Sequence, residues 1–207
     1  MAATAVRVFG KPITQGTRTQ RAQAAKNYQN ADGKYDQVTQ ATIYSQKAAA
    51  GGGANVATVS TTIGRVYNAT GDPLTYVIAH DWQGSVVGQY PMKIQNGQWA
   101  IFEHVGTSGA NRQGSVAAVV FNIQDCSDSL IAWNNPWKTA TSGNNTAYCE
   151  MNHMGYYNDS TDWDAIFKKL TASETETQTS LQGYATKVNI EAGNNNPIYT
   201  AVLCLDV

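Results

Sequence analysis

Runs of apolar residues dominate the chain from residue 55 onward and predict β-strands rather than helices. Residues 115–123 are apolar almost throughout, which is typical of a central strand buried on both faces. Residues 74–82 alternate between apolar and polar positions, which is typical of a strand with one buried face. Turn signals separate these runs at intervals of about ten residues. The pattern therefore predicts a mainly β protein, an antiparallel β-sandwich of Greek-key type.

Several strands are predicted in this part of the chain, and two local signals indicate how some of them pair. The predicted strands are residues 63–68, 74–82, 99–105, 115–123, 129–134, 146–151, 183–192 and 198–205. Residues 74–82 are expected to form a hairpin with the strand before them. Asn96-Gly97 is a turn signal that commonly joins two neighbouring antiparallel strands, so it predicts a second hairpin.

Helical signals are confined to three segments. Residues 18–30 are rich in Ala, Gln and basic side chains, and residues 34–50 carry weakly apolar positions at near-helical spacing. One further short helix is predicted near residues 162–170, with Thr161 or Asp162 as its N-cap. The first two helices carry few large apolar residues, so they are expected to lie on the surface of the β-structure or to be partly mobile.

Charge and composition divide the chain into two parts. Residues 1–54 form a basic, partly helical segment that ends in a glycine-rich linker, and residues 55–207 form the predicted sandwich domain. Residues 1–50 contain seven Lys and Arg and two Asp, a net charge of +5, whereas the whole chain has a net charge of −1. The positive charges are spread singly, so no nucleic-acid partner is expected. Docking of this segment on the acidic remainder explains the asymmetry more simply than an external partner.

The cysteine content and the lack of long apolar runs indicate the setting of the protein. Its three cysteines, Cys126, Cys149 and Cys204, show no metal-binding spacing, and their odd number argues against an extracellular disulfide scaffold. No stretch has the length and apolar character of a signal peptide or a transmembrane helix. We therefore expect a cytoplasmic protein without a cofactor, for which homo-oligomer formation stays open.

A family resemblance extends over nearly the whole chain. The residues that carry it are 66–75, 81–82, 90–99, 104–105, 114–120, 131–137 and 201–206. In these runs the chain resembles the 23 kDa jasmonate-induced protein family of plants. The resemblance implies a role in stress or defence, and it implies no catalytic residues. A weaker likeness, in the arrangement of strands and turns, to aegerolysin-type and actinoporin-type β-sandwiches that bind membrane lipid supports the sandwich architecture.

Residues suited to catalysis or metal binding do not form a recognisable set. His80 precedes Asp81 on one predicted strand, so the two side chains point to opposite faces if the strand is regular. His104 lies on the next strand and can approach His80, but zinc requires three or four converging ligands. No Gly-x-Ser-x-Gly elbow or phosphate-binding loop is present. We therefore predict that the protein is not an enzyme and holds no metal.

Aromatic residues beside loops are the best candidates for a binding site. Trp82, Tyr90 and Trp137 border loops with Gly or Pro, where their rings can stack on a sugar. Asp81 and Asn96 lie close to them in sequence and can hydrogen-bond the hydroxyls of the sugar. The same aromatic rings also suit the interior of a sandwich. The predicted ligand-binding residues are therefore Asp81, Trp82, Tyr90, Asn96 and Trp137.

Three functional hypotheses from different classes are consistent with these features. The preferred one is a non-catalytic, jasmonate-induced stress or defence protein with lectin-like carbohydrate binding through loops at one end of the sandwich. The second is a lipid-binding or pore-forming defence protein, in which the N-terminal helical segment detaches and enters the membrane. The third is a hydrolase whose catalytic residues are not revealed by their spacing. A glycan or a lipid is thus the expected ligand.

Overall fold

Two β-sheets pack face to face in the computed structural model, which describes residues 7–31, 33–49, 59–108, 110–137, 144–193 and 195–206. The strands are β1 (Arg7–Phe9), β2 (Thr61–Ala69), β3 (Leu74–Gln83), β4 (Ser85–Val86), β5 (Lys93–Ile94), β6 (Trp99–Val105), β7 (Ser115–Ile123), β8 (Ser127–Asn135), β9 (Thr146–His153), β10 (Glu176–Leu181), β11 (Tyr184–Ile190) and β12 (Ile198–Leu205). The helices are α1 (Arg18–Asn27), α2 (Lys34–Ala49) and α3 (Trp163–Ala172). The mainly β class and the sandwich architecture predicted from the sequence are confirmed.

The order of the strands shows how the two sheets are built. Sheet A has the order β1-β6-β2-β12-β11-β10, with β4 also paired to β6, and sheet B has the order β5-β3-β7-β8-β9. Among the described residues, every pair of neighbouring strands is antiparallel except β12 and β2, which run parallel. The sequence pattern does not indicate this exception, because alternation reports which face of a strand is buried and not the direction of its neighbour.

Both predicted hairpins are wrong. β2 belongs to sheet A and β3 to sheet B, so residues 74–82 do not pair with the strand before them. The turn at Asn96-Gly97 does form, with Gly97 at a φ of 84°, but it joins β5 of sheet B to β6 of sheet A. In both places the turn carries the chain from one sheet to the other. Turn-forming residues alone do not distinguish such a connection from a hairpin.

Three helices cover the outer faces of the sandwich and create two further apolar layers. The main core lies between the sheets and includes Phe121, Trp133 and Tyr199, all fully buried. α1 and α2 pack on the outer face of sheet A through Ala25 and Val38, and α3 packs on the outer face of sheet B. β7 therefore has a covered face on each side, which explains why every one of its residues is buried and why its sequence is apolar throughout.

The N-terminal segment is attached to the sandwich by strand pairing and by ion pairs. β1 pairs with β6 at the edge of sheet A, and α1 begins at a capping box. The guanidinium of Arg21 donates to Oδ1 of Asp72 at 2.7 Å, and Nε of Arg18 lies 2.8 Å from Oδ2 of the same carboxylate. The described part of the basic segment thus lies against sheet A. The boundary predicted between residues 54 and 55 falls among residues 50–58, which are outside the described part of the chain.

α3 forms the outer layer over sheet B and positions the candidate site. Its N-cap is Asp162, one of the two residues predicted for that position, and the carboxylate of Asp162 accepts a hydrogen bond from the backbone N–H of Ala165 at 3.0 Å. Ile166 and Leu170 are buried against β8 and β9. The amphipathic pattern that predicts this helix therefore corresponds to a real interface with the sheet.

Candidate functional site

Four aromatic rings form a partly buried platform where α3 meets the outer face of β3. His80 and Trp82 share one face of β3, and Trp163 and Phe167 lie one turn apart on α3. The imidazole of His80 stacks on the indole of Trp163, with ring centroids 4.8 Å apart and planes at 8°. Trp82 contacts His80 at 5.0 Å and Phe167 at 5.4 Å between centroids. Burial lowers the pKa of His80, so its ring is uncharged at neutral pH and adds to an apolar surface.

The same outer face carries a carboxylate held by three donors, which we call the Glu150 cradle (Tyr148, Glu150, Tyr157 and Lys169). The hydroxyl of Tyr148 and the ammonium of Lys169 each donate to Oε2 of Glu150 at 2.6 Å. The hydroxyl of Tyr157 donates to Oε1 at 3.0 Å. Burial by itself raises the pKa of Glu150, but the hydrogen bonds from Lys169, Tyr148 and Tyr157 outweigh it, so the pKa is lowered. Glu150 is therefore a fixed, ionised group.

Strand alternation and the path of the chain after β9 explain how the cradle forms. Tyr148, Glu150 and Asn152 occupy alternate positions of β9 and share its outer face. The chain then turns back over this face and brings Tyr157 into reach, where Nδ2 of Asn152 donates to its hydroxyl at 2.9 Å. Burial and the neighbouring carboxylate raise the pKa of Tyr148 and Tyr157, so both hydroxyls keep their protons and act as donors.

An open pocket of about 370 Å³ adjoins the Glu150 cradle. Its walls come from the loop after β9 and from α3, and the lining residues include Glu150, Tyr156, Asn158, Thr161, Asp162 and Lys169. Met154 and Tyr156 lie in the same loop and are 53% and 47% exposed. The ring of Tyr156 contacts the rings of His153 and Tyr157, with centroids 5.5 and 5.0 Å away. The pocket thus has mainly polar walls, and the loop that forms part of them also carries two exposed apolar side chains, Met154 and Tyr156.

The structure separates the predicted site residues Asp81 and Trp82, which point to opposite sides of β3. Trp82 belongs to the aromatic platform on the outer face. Asp81 turns toward sheet A, where it accepts a hydrogen bond from the hydroxyl of Tyr90 at 2.9 Å and lies 3.4 Å from Nε2 of His104. Tyr90 is 5% exposed and packs in the main core between the sheets. Of the two roles that the sequence left open for Tyr90, the structure therefore shows the interior one.

Asn96 serves to anchor the N-terminal segment. It is 3% exposed, and its side-chain oxygen accepts a hydrogen bond from the backbone N–H of Gly71 at 2.9 Å. Its side-chain nitrogen donates to the backbone carbonyls of Ile13 and Arg21 at 3.2 and 3.0 Å. The buried amide is thus engaged on both sides, which is the usual state of a buried polar group.

Trp137 lies beyond the end of β8, at the opposite end of that strand from the loop that carries Tyr156. The guanidinium of Arg112 is 5.1 Å from its ring centroid. The five predicted residues are therefore spread over the outer face, the interior and one end of the sandwich and do not converge on one surface. A ligand-binding role for Trp82 or Trp137 stays a prediction.

Ser115, His104 and Asp81 are arranged in space in the order of a catalytic triad, with a possible nucleophile, a base and an acid. Nδ1 of His104 is 2.9 Å from Oγ of Ser115, but both side chains are fully buried. The hydroxyl of Ser115 donates to Thr62 at 2.8 Å and accepts a hydrogen bond from the indole of Trp133 at 3.2 Å. A nucleophile must reach its substrate. This network therefore joins sheet A to sheet B and does not support the hydrolase hypothesis.

Acid is expected to destabilise the protein through Asp81 and Glu150. Burial opposes ionisation of Asp81, but its contact with His104 and the hydrogen bond from Tyr90 outweigh burial, so the pKa of Asp81 is lowered, as is that of Glu150. A carboxyl whose pKa is lower in the folded than in the unfolded chain contributes its full stabilisation above the unfolded pKa of about 4. That contribution is lost as the pH falls through the folded pKa. Urea unfolding at a series of pH values measures this decline.

The Asp81→Asn variant provides the control for the pH dependence. Its free energy of unfolding should fall less steeply with acid than that of the parent, because one of the two carboxyls no longer titrates. An unchanged slope would show that Asp81 does not contribute to the acid sensitivity.

Sequence analysis missed the Glu150 cradle, although one signal for it was present. The alternation of Tyr148, Glu150 and Asn152 in a predicted strand places these polar side chains on one face. A face that carries a carboxylate between potential donors is a candidate site when a helix crosses it. The contribution of Lys169 depends on the path of α3, which local pattern does not reveal.

Metal-binding clusters, disulfides and membrane-spanning helices are all absent from the described part of the chain. Within the residues that the structure describes, no three His, Cys, Asp or Glu side chains form a group that could hold a metal ion. Cys126, Cys149 and Cys204 are free thiols. None of the described helices is long and apolar enough to cross a membrane.

Known proteins resemble this chain over most of its length. The model of the family described as Nakanori-like protein matches residues 5–205. The 23 kDa jasmonate-induced protein of Hordeum vulgare is 38% identical over 131 residues, which is 62% of this chain and 62% of that protein. A jasmonate-induced protein homolog of Atriplex canescens is 30% identical over 147 residues, 68% of this chain and 76% of the relative. The chain thus spans less than two thirds of the Hordeum vulgare protein.

A solved structure shares the fold. The crystal structure of the lipid binding protein Nakanori matches with a TM-score of 0.81 over 96% of this chain and 100% of that chain, at 22% sequence identity. This likeness shows the two-sheet architecture alone. The resemblance to jasmonate-induced proteins that the sequence indicated is confirmed. Because the family model covers nearly all of the chain, the protein belongs to the Nakanori-like protein family.

Proposed function

We propose that this protein is a non-catalytic lipid-binding protein of a plant stress or defence response, and that the pocket beside the Glu150 cradle receives the lipid headgroup. The observation that carries the proposal is that one loop combines two exposed apolar side chains, Met154 and Tyr156, with the wall of a polar pocket. A membrane surface offers the same pairing, with polar headgroups above apolar chains. The names of the relatives, lipid binding protein and jasmonate-induced protein, support the ligand class and the setting.

The charges around the pocket favour a headgroup that carries no net charge. Asp159, Asp162 and Asp164 are exposed beside it, so an anionic membrane would be repelled over a Debye length of about 8 Å at physiological salt. A zwitterionic headgroup brings a cation that Glu150 can attract and a phosphate that Lys169 can attract. We therefore propose a zwitterionic lipid as the ligand.

Lipid takes the place of carbohydrate in this proposal because the residues that motivated carbohydrate binding do not share a surface. The proposal also does not use insertion of the N-terminal helices. α1 is polar along most of its length, its buried residues are Ala22 and Ala25, and Arg21 attaches it to Asp72. Such a helix offers little apolar surface to a bilayer.

Vesicle cosedimentation of the full chain tests the proposal. We expect binding to vesicles with phosphocholine headgroups, made from a glycerolipid or from a sphingolipid, and weaker binding when phosphatidylserine replaces them. The double variant Met154→Ser, Tyr156→Ser should bind at least about ten-fold more weakly, because two apolar side chains no longer enter the bilayer.

The matched control is the double variant Tyr28→Ser, Tyr44→Ser. Tyr28 and Tyr44 are 54% and 68% exposed. Tyr28 caps the C-terminus of α1 and Tyr44 lies on α2, so both belong to the helical layer over sheet A, on the far side of the molecule from α3. This variant should bind vesicles as the parent does. Absence of binding to every vesicle, or equal weakening by both double variants, would refute the proposed surface.

A further inference from the structure

The ammonium group of Lys169 lies at a position beside Glu150 and Tyr148 that is also suited to the cation of a ligand. Its Nζ lies 2.6 Å from Oε2 of Glu150 and 6.0 Å from the ring centroid of Tyr148. The side chain of Glu150 is 16% exposed, whereas that of Lys169 is 53% exposed. The anion is thus sheltered and the cation reaches it from solvent. We propose that the Glu150 cradle is a binding site for an organic ammonium group, and that Lys169 occupies this site in the absence of the ligand.

The fixed members of the cradle are those that an ammonium site requires. A carboxylate balances the charge of the ligand, and an aromatic face within about 6 Å attracts a cation. The hydroxyls of Tyr148 and Tyr157 both donate to Glu150, and Asn152 donates to Tyr157. These contacts orient the carboxylate and the rings independently of Lys169. The raised pKa of each tyrosine keeps its hydroxyl neutral, so no second negative charge forms there.

Lys169 is the member of the cradle that a ligand can replace. It extends from the last turn of α3 on a flexible four-carbon stem, and more than half of its side chain is in solvent. Lysines in exposed ion pairs gain little from their partner, because water screens the charges and the stem loses freedom. The pair Lys187 and Glu176, at 2.8 Å and with side chains 51% and 56% exposed, is an ordinary example on sheet A. The cradle differs because its carboxylate is sheltered and faces a pocket.

The pocket gives the displaced lysine a second partner. Lys169 lines the pocket together with Glu150, so its ammonium can turn toward a phosphate that lies beside a bound ammonium group. The ammonium group of a zwitterionic headgroup would then contact Glu150, and its phosphate would contact Lys169. This part of the inference rests on the lipid-binding proposal, but occupancy of the cradle can be tested without a membrane.

Titration of the full chain with choline chloride tests the inference directly. Lys169→Met keeps the length of the side chain and removes its charge. In isothermal titration calorimetry at constant ionic strength, this variant should bind choline about five-fold more tightly than the parent, because the internal competitor is gone. Lys187→Met is the matched control and should bind choline as the parent does. The neutral analogue 3,3-dimethyl-1-butanol should bind more weakly than choline to each protein.

Two further variants and the vesicle assay decide between the outcomes. Two double variants are made from Lys169→Met, one that also carries Tyr148→Leu and one that also carries Glu150→Gln. Each double variant that keeps the circular dichroism spectrum of the parent should lose the gain in choline affinity. Equal or weaker choline binding by Lys169→Met would overturn the inference, even if the parent binds vesicles. A gain in choline affinity without vesicle binding would uphold the cradle and refute the lipid proposal.

Discussion

Replacement of Trp133 by alanine is expected to lower the free energy of unfolding by about 3–5 kcal/mol. The indole is fully buried, and its ring lies 5.3 Å from that of Phe102 and 5.4 Å from that of Tyr199 between centroids. Its Nε1 also donates to Ser115 in the network that joins the sheets. The substitution opens a cavity in the main core and leaves Ser115 without this donor. Urea unfolding followed by circular dichroism measures the loss.

Trp137→Ala is the control for this prediction, since it removes the same side chain from a partly exposed position. Its effect should stay within about 1 kcal/mol, as for most substitutions away from the core. A similar loss of stability in both variants would show that the interior between the sheets is not the main source of stability.

Replacement of Asp72 by asparagine is expected to lower the free energy of unfolding by about 2–4 kcal/mol. The side chain of Asp72 is 10% exposed and pairs with both Arg18 and Arg21. Loss of its charge leaves two guanidinium groups without their carboxylate at the contact between α1 and the sandwich. Hydrogen exchange should therefore accelerate in the amides of α1 more than in those of β7, and urea unfolding measures the total change.

Glu176→Gln provides the comparison, because it removes one carboxylate from the exposed pair with Lys187. The expected change is below about 1 kcal/mol. If Asp72→Asn changes stability no more than this variant, or if exchange accelerates equally in α1 and β7, then Asp72 does not hold the N-terminal segment in place.

Sequence analysis predicts the long strands that carry a regular apolar pattern, and it misses strands that are polar or very short. β7 is predicted because each of its faces meets a core. β10 is missed because the inward-facing position Thr177 is polar and satisfies the backbone N–H of Cys149 through its hydroxyl, at 3.1 Å. β1 is missed because it has only three residues, and it is held in sheet A by its pairing with β6. Hydropathy does not report contacts that are made by hydrogen bonds.

The candidate site is predictable only in its local parts. The apolar face of α3 and the shared face of Tyr148 and Glu150 both follow from periodicity. The contact between Glu150 and Lys169 does not, because it depends on how α3 crosses sheet B. The interior position of Tyr90 is likewise not predictable from local pattern. Tyr90 precedes a proline in a loop, but this loop passes from one sheet to the other and places the ring in the core.

The parallel contact between β2 and β12 constrains the order in which the chain can fold. The two strands are neighbours in sheet A, yet Arg65 and Thr200, which hydrogen-bond at 2.7 Å, are 135 positions apart in sequence. Closing so long a loop is entropically costly and slows folding. During synthesis, β2 emerges from the ribosome long before its partner and has an unpaired edge until β12 follows. The late completion of sheet A makes the nascent chain a candidate for chaperone binding.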